Sequence, residues 1–257
     1  MDNQYGLIGK SLAHSFSKSY FEKKFKDEKL EGTTYDNFEL DSIEKIGPLV
    51  AGLENLKGLN VTIPYKEAVL PYLDELSAEA HQIGAVNCIK IINGKLQGHN
   101  TDVYGFSQSI KPFLDTNHQR ALILGTGGAS KAVHQALKKV GVEVYFVTSS
   151  EKQSANTLFY SEINSLVMQA FKLVVNTTPL GMGEWAHLSP PLPYHLFTPE
   201  HLAYDLIYNP SETLFLKQAN AQGAVTMNGL SMLQLQAEKS WEIWNSPFEF
   251  QETRVRT

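Results

Sequence analysis

The chain has 257 residues, 42% hydrophobic and 19% charged, a composition that supports a folded core of one large or two ordinary domains. A net charge of −5 and the lack of a long basic run argue against nucleic acid or an anionic membrane as a partner. The one cysteine, Cys88, leaves no internal disulfide and no multi-cysteine metal site, so no metal is expected. The opening MDNQYGLIGKS lacks the basic-then-apolar pattern of a signal peptide, and no apolar run nears the ~20 residues that span a bilayer. These features point to a cytoplasmic setting.

Strand and helix signals alternate along the chain. YGLIG, residues 5–9, reads as a strand, and SFSKSYFEKKF, 15–25, as a helix with Phe16, Tyr20, Phe21 and Phe25 on one face. TTYDNFEL, 33–40, is strand-like; the helix after Asp41 or Ser42 should break or restart at Gly47-Pro48. GLNVTI, 58–63, is a strand that stops at Pro64, one turn before Lys66. Residues 85–102 read as a hairpin turning at Asn93-Gly94, and a helix follows from Asp102 to about residue 113. Strand and helix then alternate from Arg120 to about Gln236, with the four prolines of 189–199 read as a surface loop. The last helix, 230–244, carries Leu233, Ala237, Trp241 and Trp244 on one stripe and should return to the first half. The pattern predicts two α/β domains with parallel-rich sheets, divided near residues 101–119.

The stretch RALILGTGGASKAVHQALKKVGVEVYFVTSS, 120–150, carries the strongest signal. A strand runs into Gly125-Thr126-Gly127-Gly128, a helix follows and is closed by Gly141, and a second strand completes the unit. That is the context of a dinucleotide fingerprint: a tight turn, backbone near a pyrophosphate, and a helix N-terminus aimed at it. Ser130 stands at the pattern's third glycine position and is small enough for close helix–strand packing. The second strand ends in Thr148-Ser149-Ser150-Glu151-Lys152, with neither a terminal acid nor an arginine. The choice between NAD and NADP therefore stays open, beside the plain reading of a polar loop with no ribose contact.

Ligands of doubly wound sheets lie beyond the carboxyl ends of the strands. The polar residues there are Ser11, His14, Ser15 and Ser17; Thr62 and Lys66; Asn87; and His99, Asn100, Thr101 and Asp102. Each has a structural explanation of its own. Ser15 or Ser17 could cap the first helix, Asn100 or Thr101 the helix from Asp102, and Asn87 could satisfy backbone groups. His14 and His99 read as loop residues. As a set, these groups suit a small polyhydroxylated acid.

The segments GKSLAHSFSKSYF, NVTIPYK, GAVNC, GHNTD, GTGGAS, VVNTTPLGM, DLIYNP and NGLSMLQLQA resemble, in order and over nearly the whole chain, those of the shikimate dehydrogenase family. The resemblance implies a substrate-binding domain, 1–103 completed by 230–257, with a mostly parallel sheet, and a Rossmann-like domain, 104–229. It implies NADP-dependent reduction of 3-dehydroshikimate to shikimate by a monomer or homodimer. Lys66 and Asp102 would be catalytic. Ser15, Ser17 and Tyr208 would hold the substrate carboxylate, and Thr62, Asn87, Asp102 and Gln236 the ring hydroxyls. Gly127, Gly128 and Ala129 would meet the cofactor's pyrophosphate, Gly125 and Thr177 would lie along the cofactor, Ser149, Ser150 and Lys152 would be weak ligands of its adenosine phosphate, and Gly229 and Met232 would border its nicotinamide. The chain departs from the family at Ser11 and Lys18, where proline is usual, and at Cys88 and Ser231, where threonine and glycine are usual. It also has Ser149-Ser150-Glu151 where Asn-Arg-Thr is common. Loss of that arginine keeps NAD possible and leaves an NAD-linked quinate/shikimate dehydrogenase as one alternative. A noncatalytic nucleotide-binding regulator on the same fold is the other.

Overall fold

The computed structural model describes residues 3–12, 15–149 and 155–247. In chain order the first half runs β1 (Asn3–Gly9), α1 (Phe16–Asp27), β2 (Thr33–Glu39), α2 (Ile46–Ala51), β3 (Leu56–Val61), α3 (Tyr65–Ala68), β4 (Glu75–Leu76), α4 (Ala78–Ile83), β5 (Cys88–Ile92), β6 (Lys95–His99) and α5 (Asp102–Ile110). The second runs β7 (Arg120–Leu124), α6 (Gly128–Lys139), β8 (Glu143–Thr148), β9 (Thr157–Phe159), α7 (Ser165–Ala170), β10 (Leu173–Asn176), β11 (Leu202–Asp205), α8 (Leu214–Asn220), β12 (Val225–Met227) and α9 (Leu230–Asn245).

The first sheet has the order β2-β1-β3-β5-β6-β4, parallel except where β5 pairs with β3 and β6. Its hairpin turns through Asn93 and Gly94, both at positive φ (51° and 77°), the geometry that a two-residue connection between twisted strands needs. The second sheet is parallel throughout, in the order β12-β11-β10-β7-β8-β9. Counted from β7 this is the doubly wound order of dinucleotide-binding sheets, with the crevice where β7 and β10 part. Ala121 to Leu124 are fully buried, as a central strand covered on both faces requires. The fold is thus the expected pair of α/β sheets.

The two halves share packing. Val103, Phe106 and Ile110 of α5 enter the same core as Val133 and Leu137 of α6 and Met232 of α9. The expected division between residues 103 and 104 falls inside α5. Trp244 of α9 reaches the first sheet, where its Nε1 donates to Ile89 O at 3.0 Å.

The expected break or restart near Gly47-Pro48 is a restart: a 3-10 turn over Ile43–Lys45 gives way to α2 at Ile46, and Pro48 sits in its first turn, where a missing N–H costs no intrahelical bond. Two local readings need correction. The proline-rich stretch is not only surface, since Leu192 and Phe197 are buried against Phe215. His99 is not a loop residue but the last residue of β6.

Two ionisable groups, Asp205 buried and His99 half-buried, set opposing pH dependences. Burial raises the Asp205 carboxyl from 3.8 to about 6, against hydrogen bonds from Thr213, Ile207 and Asn176 that favour the charge. Because its folded pKa is raised, its stabilising contribution is full below pH ~4 and lost as pH rises through about 6. Burial lowers His99 from 6.5 to about 4, so its contribution is present above pH 6.5 and lost on acidification. Asp205→Asn removes one arm. Relative to the parent, the variant should gain on the order of 3 kcal/mol in urea unfolding between pH 4 and pH 7. Parallel pH profiles for the two proteins would refute this.

Candidate active site

A cavity of about 380 Å³ opens beyond the carboxyl ends of β1 and β3. The first half supplies Ser15, Ser17, Thr62, Lys66, Asn87 and Asp102 to its wall; Leu233 and Gln236 come from α9, and Met182 and Tyr208 from loops of the second half. Residues far apart in sequence thus meet where the strand-end argument placed them.

Lys66 lies on α3, the short helix that follows Pro64. Its neighbour Tyr65 is buried and donates its hydroxyl to Leu40 O at 2.5 Å, while Lys66 O accepts from Val86 N at 2.8 Å. The turn is therefore pinned on both sides. Lys66 Nζ donates to Asp102 Oδ2 at 2.7 Å, with the two side chains 23% and 11% exposed. The other carboxylate oxygen, Oδ1, accepts from Asn87 Nδ2 at 2.9 Å. Asn87 is itself fixed: its Oδ1 accepts from Thr101 N at 2.7 Å, and its amide also approaches Thr101 Oγ1 and Gln236 Oε1. Below this layer Tyr35 donates to Asn60 Oδ1 at 2.8 Å, and Asn60 Nδ2 donates to Asn87 O and Ser240 Oγ. Asp102 is thus oriented from both sides, and the ammonium of Lys66 is presented to the cavity by a connected polar network.

The serines separate capping from binding. Asn100 is a cap: its Oδ1 accepts from Asp102 N and Val103 N at the start of α5. Ser15 occupies the N-cap position of α1, yet its side chain makes no capping bond. Its Oγ is buried with no hydrogen-bond partner among the described residues. A buried hydroxyl left unpaired costs roughly 1–3 kcal/mol, so the arrangement favours a ligand that bonds to it. Ser17 is buried on the same wall, and Tyr208 packs edge-on against Phe16 at 5.6 Å, closing the cavity from the second half. Ser15→Ala should raise KM about tenfold with kcat little changed, because a carboxylate remote from the reacting carbon is held equally in ground and transition states. The same variant should leave the free protein's melting temperature unchanged or slightly raised. A collapsed kcat with normal KM would assign the serine another role.

The glycine-rich turn leads from β7 into α6. Gly125 adopts φ +97°, and a Cβ there would lie 3.2 Å from Thr177 Oγ1. Among the described residues, a Cβ on Gly127 would meet nothing within 4 Å, and no side chain caps α6. Open space beside free helix-terminal amides suits a pyrophosphate, with Gly127, Gly128 and Ala129 at its edge. Ser130 Oγ donates to Gly127 O at 2.6 Å, and Thr177 Oγ1 to Leu124 O at 2.6 Å, so both hydroxyls brace the turn. Ser149 is exposed at the end of β8; Ser150 and Lys152, like His14, lie outside the described residues.

The family model for the shikimate dehydrogenase substrate binding domain matches residues 7–89. A shikimate dehydrogenase (NADP(+)) of Desulforamulus reducens is 36% identical, with 93% of this chain and 88% of the relative aligned. The chain belongs to the shikimate dehydrogenase family. The crystal structure of shikimate dehydrogenase from Aquifex aeolicus superposes with a TM-score of 0.85 at 33% identity, covering 95% of this chain and 92% of that one. Quinate dehydrogenase from Corynebacterium glutamicum, in complex with NAD, gives a TM-score of 0.83 at 30% identity over 95% and 94%.

In this shikimate dehydrogenase family member Lys66 and Asp102 are in contact, and the residues expected to meet the substrate line one cavity. Met232 was expected beside the nicotinamide rather than on this wall. Its side chain is buried in the shared core, and its neighbour Leu233 lines the cavity. Sequence reasoning missed Asn60, Tyr35, Ser240 and Met182. Asn60 carried a usable signal, a carboxamide inside the apolar run LNV; Met182 carried none.

Proposed function

We propose that the protein is an NADP-dependent shikimate dehydrogenase, an oxidoreductase that reversibly reduces 3-dehydroshikimate to shikimate in the shikimate pathway of aromatic amino-acid biosynthesis. The observation that carries the reading is the Lys66–Asp102 contact on a cavity whose Ser15 hydroxyl lacks a partner among the described residues. Ser15, Ser17 and Tyr208 hold the substrate carboxylate; Thr62, Asn87, Asp102 and Gln236 take its hydroxyls. Lys66 donates the proton that reduction needs and stabilises the growing alkoxide, and Asp102 aims the ammonium and grips a neighbouring hydroxyl. The reverse reaction returns that proton to Lys66. The cofactor, when bound, supplies or accepts the hydride. Residues 1–103 with 230–257 form the substrate-holding unit in this reading, and 104–229 the cofactor-holding one. The setting is the cytoplasm, and the working form a monomer or homodimer.

One observation favours a second reading. Ser149-Ser150-Glu151 replaces the arginine-bearing segment, which weakens the hold on a 2′-phosphate and opens a route to NAD and to quinate. Loss of one charged contact costs roughly 1.5–3 kcal/mol, or tenfold and more in preference. Rates for shikimate and quinate with each cofactor decide between the two. The proposal expects the highest kcat/KM for shikimate with NADP. A higher value for quinate, or for NAD, selects the alternative. A noncatalytic regulator would turn over none of them, and it would have no use for the Lys66–Asp102 pair.

A further inference from the structure

One face of α6 is laced to the first half. Lys131 Nζ donates to Glu67 Oε1 at 2.8 Å, Gln135 Nε2 to Gln82 Oε1 at 2.8 Å, and Lys139 Nζ to Glu79 Oε1. The spacing of four residues puts the three donors on a single helical stripe. The first of these contacts differs from the other two in its position. Glu67 is the residue after Lys66 on α3, and its Oε1 lies 3.5 Å from where a Cβ on Gly128 would sit. A carboxylate therefore stands beside the N-terminus of α6, at the edge of the space read above as the pyrophosphate cradle.

We propose that the Glu67–Lys131 pair is a latch through which the cofactor cradle positions Lys66, with Glu67 a positioning residue rather than a catalytic one. The inference rests on the cofactor reading of that cradle. A phosphate at the end of α6 meets the Glu67 carboxylate as a like charge, and Lys131, in the first turns of the same helix, is a cation available to both. While the pair holds, α3 is tied to α6 and the turn bearing Lys66 is fixed relative to the cofactor helix. Removing the carboxylate releases Lys131 to the phosphates and removes the direct tie between α3 and α6, while Tyr65 and Val86 still hold the turn to the first half. Binding and turnover then change in opposite directions, an outcome that general loosening of the fold does not produce. The Gln82–Gln135 and Glu79–Lys139 contacts remain to hold the interface.

The test is NADPH affinity by cofactor fluorescence without substrate, at low and high salt, together with kcat. Glu67→Gln should bind NADPH about threefold more tightly at low salt, within the range of exposed charge pairs, and lose that gain at about 0.5 M salt. Its kcat should fall about fivefold. Lys131→Gln should weaken binding and lower kcat. The exchanged pair, Glu67→Lys with Lys131→Glu, should recover kcat relative to Glu67→Lys alone. Glu67→Gln that binds NADPH no more tightly than the parent, or keeps its kcat within twofold, overturns the latch. A parent protein that does not bind NADPH at all overturns the cradle reading with it.

Discussion

Lys66→Ala lowers kcat by roughly 10²–10⁴, the usual share of positioned acid–base catalysis, while KM changes far less. The asymmetry follows from where the charge develops. The ammonium gains strength against the substrate oxygen only as that oxygen becomes an alkoxide, so the loss falls on the transition state. Geometry strengthens the expectation, because both oxygens of Asp102 are engaged, one by Lys66 and one by Asn87. Removing the lysine leaves a carboxylate without its cation, and removing the aspartate leaves the ammonium unaimed. Lys66→Ala and Asp102→Ala should therefore be strongly non-additive, the double variant losing little more than the worse single one. Steady-state kinetics on the three variants measures this. A Lys66→Ala enzyme that keeps most of its kcat would make the lysine a solvated cation at a helix start.

Gly229→Ala destabilises the fold by about 3 kcal/mol, at the upper end for overpacking, and drops the melting temperature by about 6–12 °C. A Cβ there would lie 2.0 Å from Leu206 O and 2.6 Å from its carbonyl carbon, both main-chain atoms that cannot rotate away. Gly229 N also donates to Ile207 O at 3.1 Å, which ties the entry of α9 to the loop carrying Tyr208. Any relief must move the start of α9, and with it Leu233 and Gln236 on the cavity wall. Calorimetry and activity should fall together. A variant melting within about 2 °C of the parent would show that this crossing is loose.

The second half was legible because its signals are local. The buried strand 121–124, the glycines at 125, 127 and 128 and the following helix lie within some twenty residues, and each demands the others. The hairpin at Asn93-Gly94 was legible for the same reason. What stayed hidden depends on chain segments that meet only in three dimensions. The two-residue strand β4 has no period to detect and exists because Glu75 and Leu76 pair with β6. Pro190 to Pro199 read as surface because prolines mark loops, yet the sheet's outer face needed Leu192 and Phe197. The polar layer under Asn87 draws on residues 35, 60 and 240, and no spacing joins them. Ser15 could be read as a cap or a ligand from sequence; a hydroxyl that caps nothing and has no partner among the described residues favours the ligand.

The most direct test of the central claim is diffraction from crystals of the protein soaked with shikimate. The account predicts the ligand in the cavity between β1, β3 and α9, its carboxylate within hydrogen-bond reach of Ser15 and Ser17 and a ring hydroxyl within reach of both Lys66 and Asp102. Shikimate bound outside that cavity, or reversed in it with the carboxylate against Asp102, would contradict it.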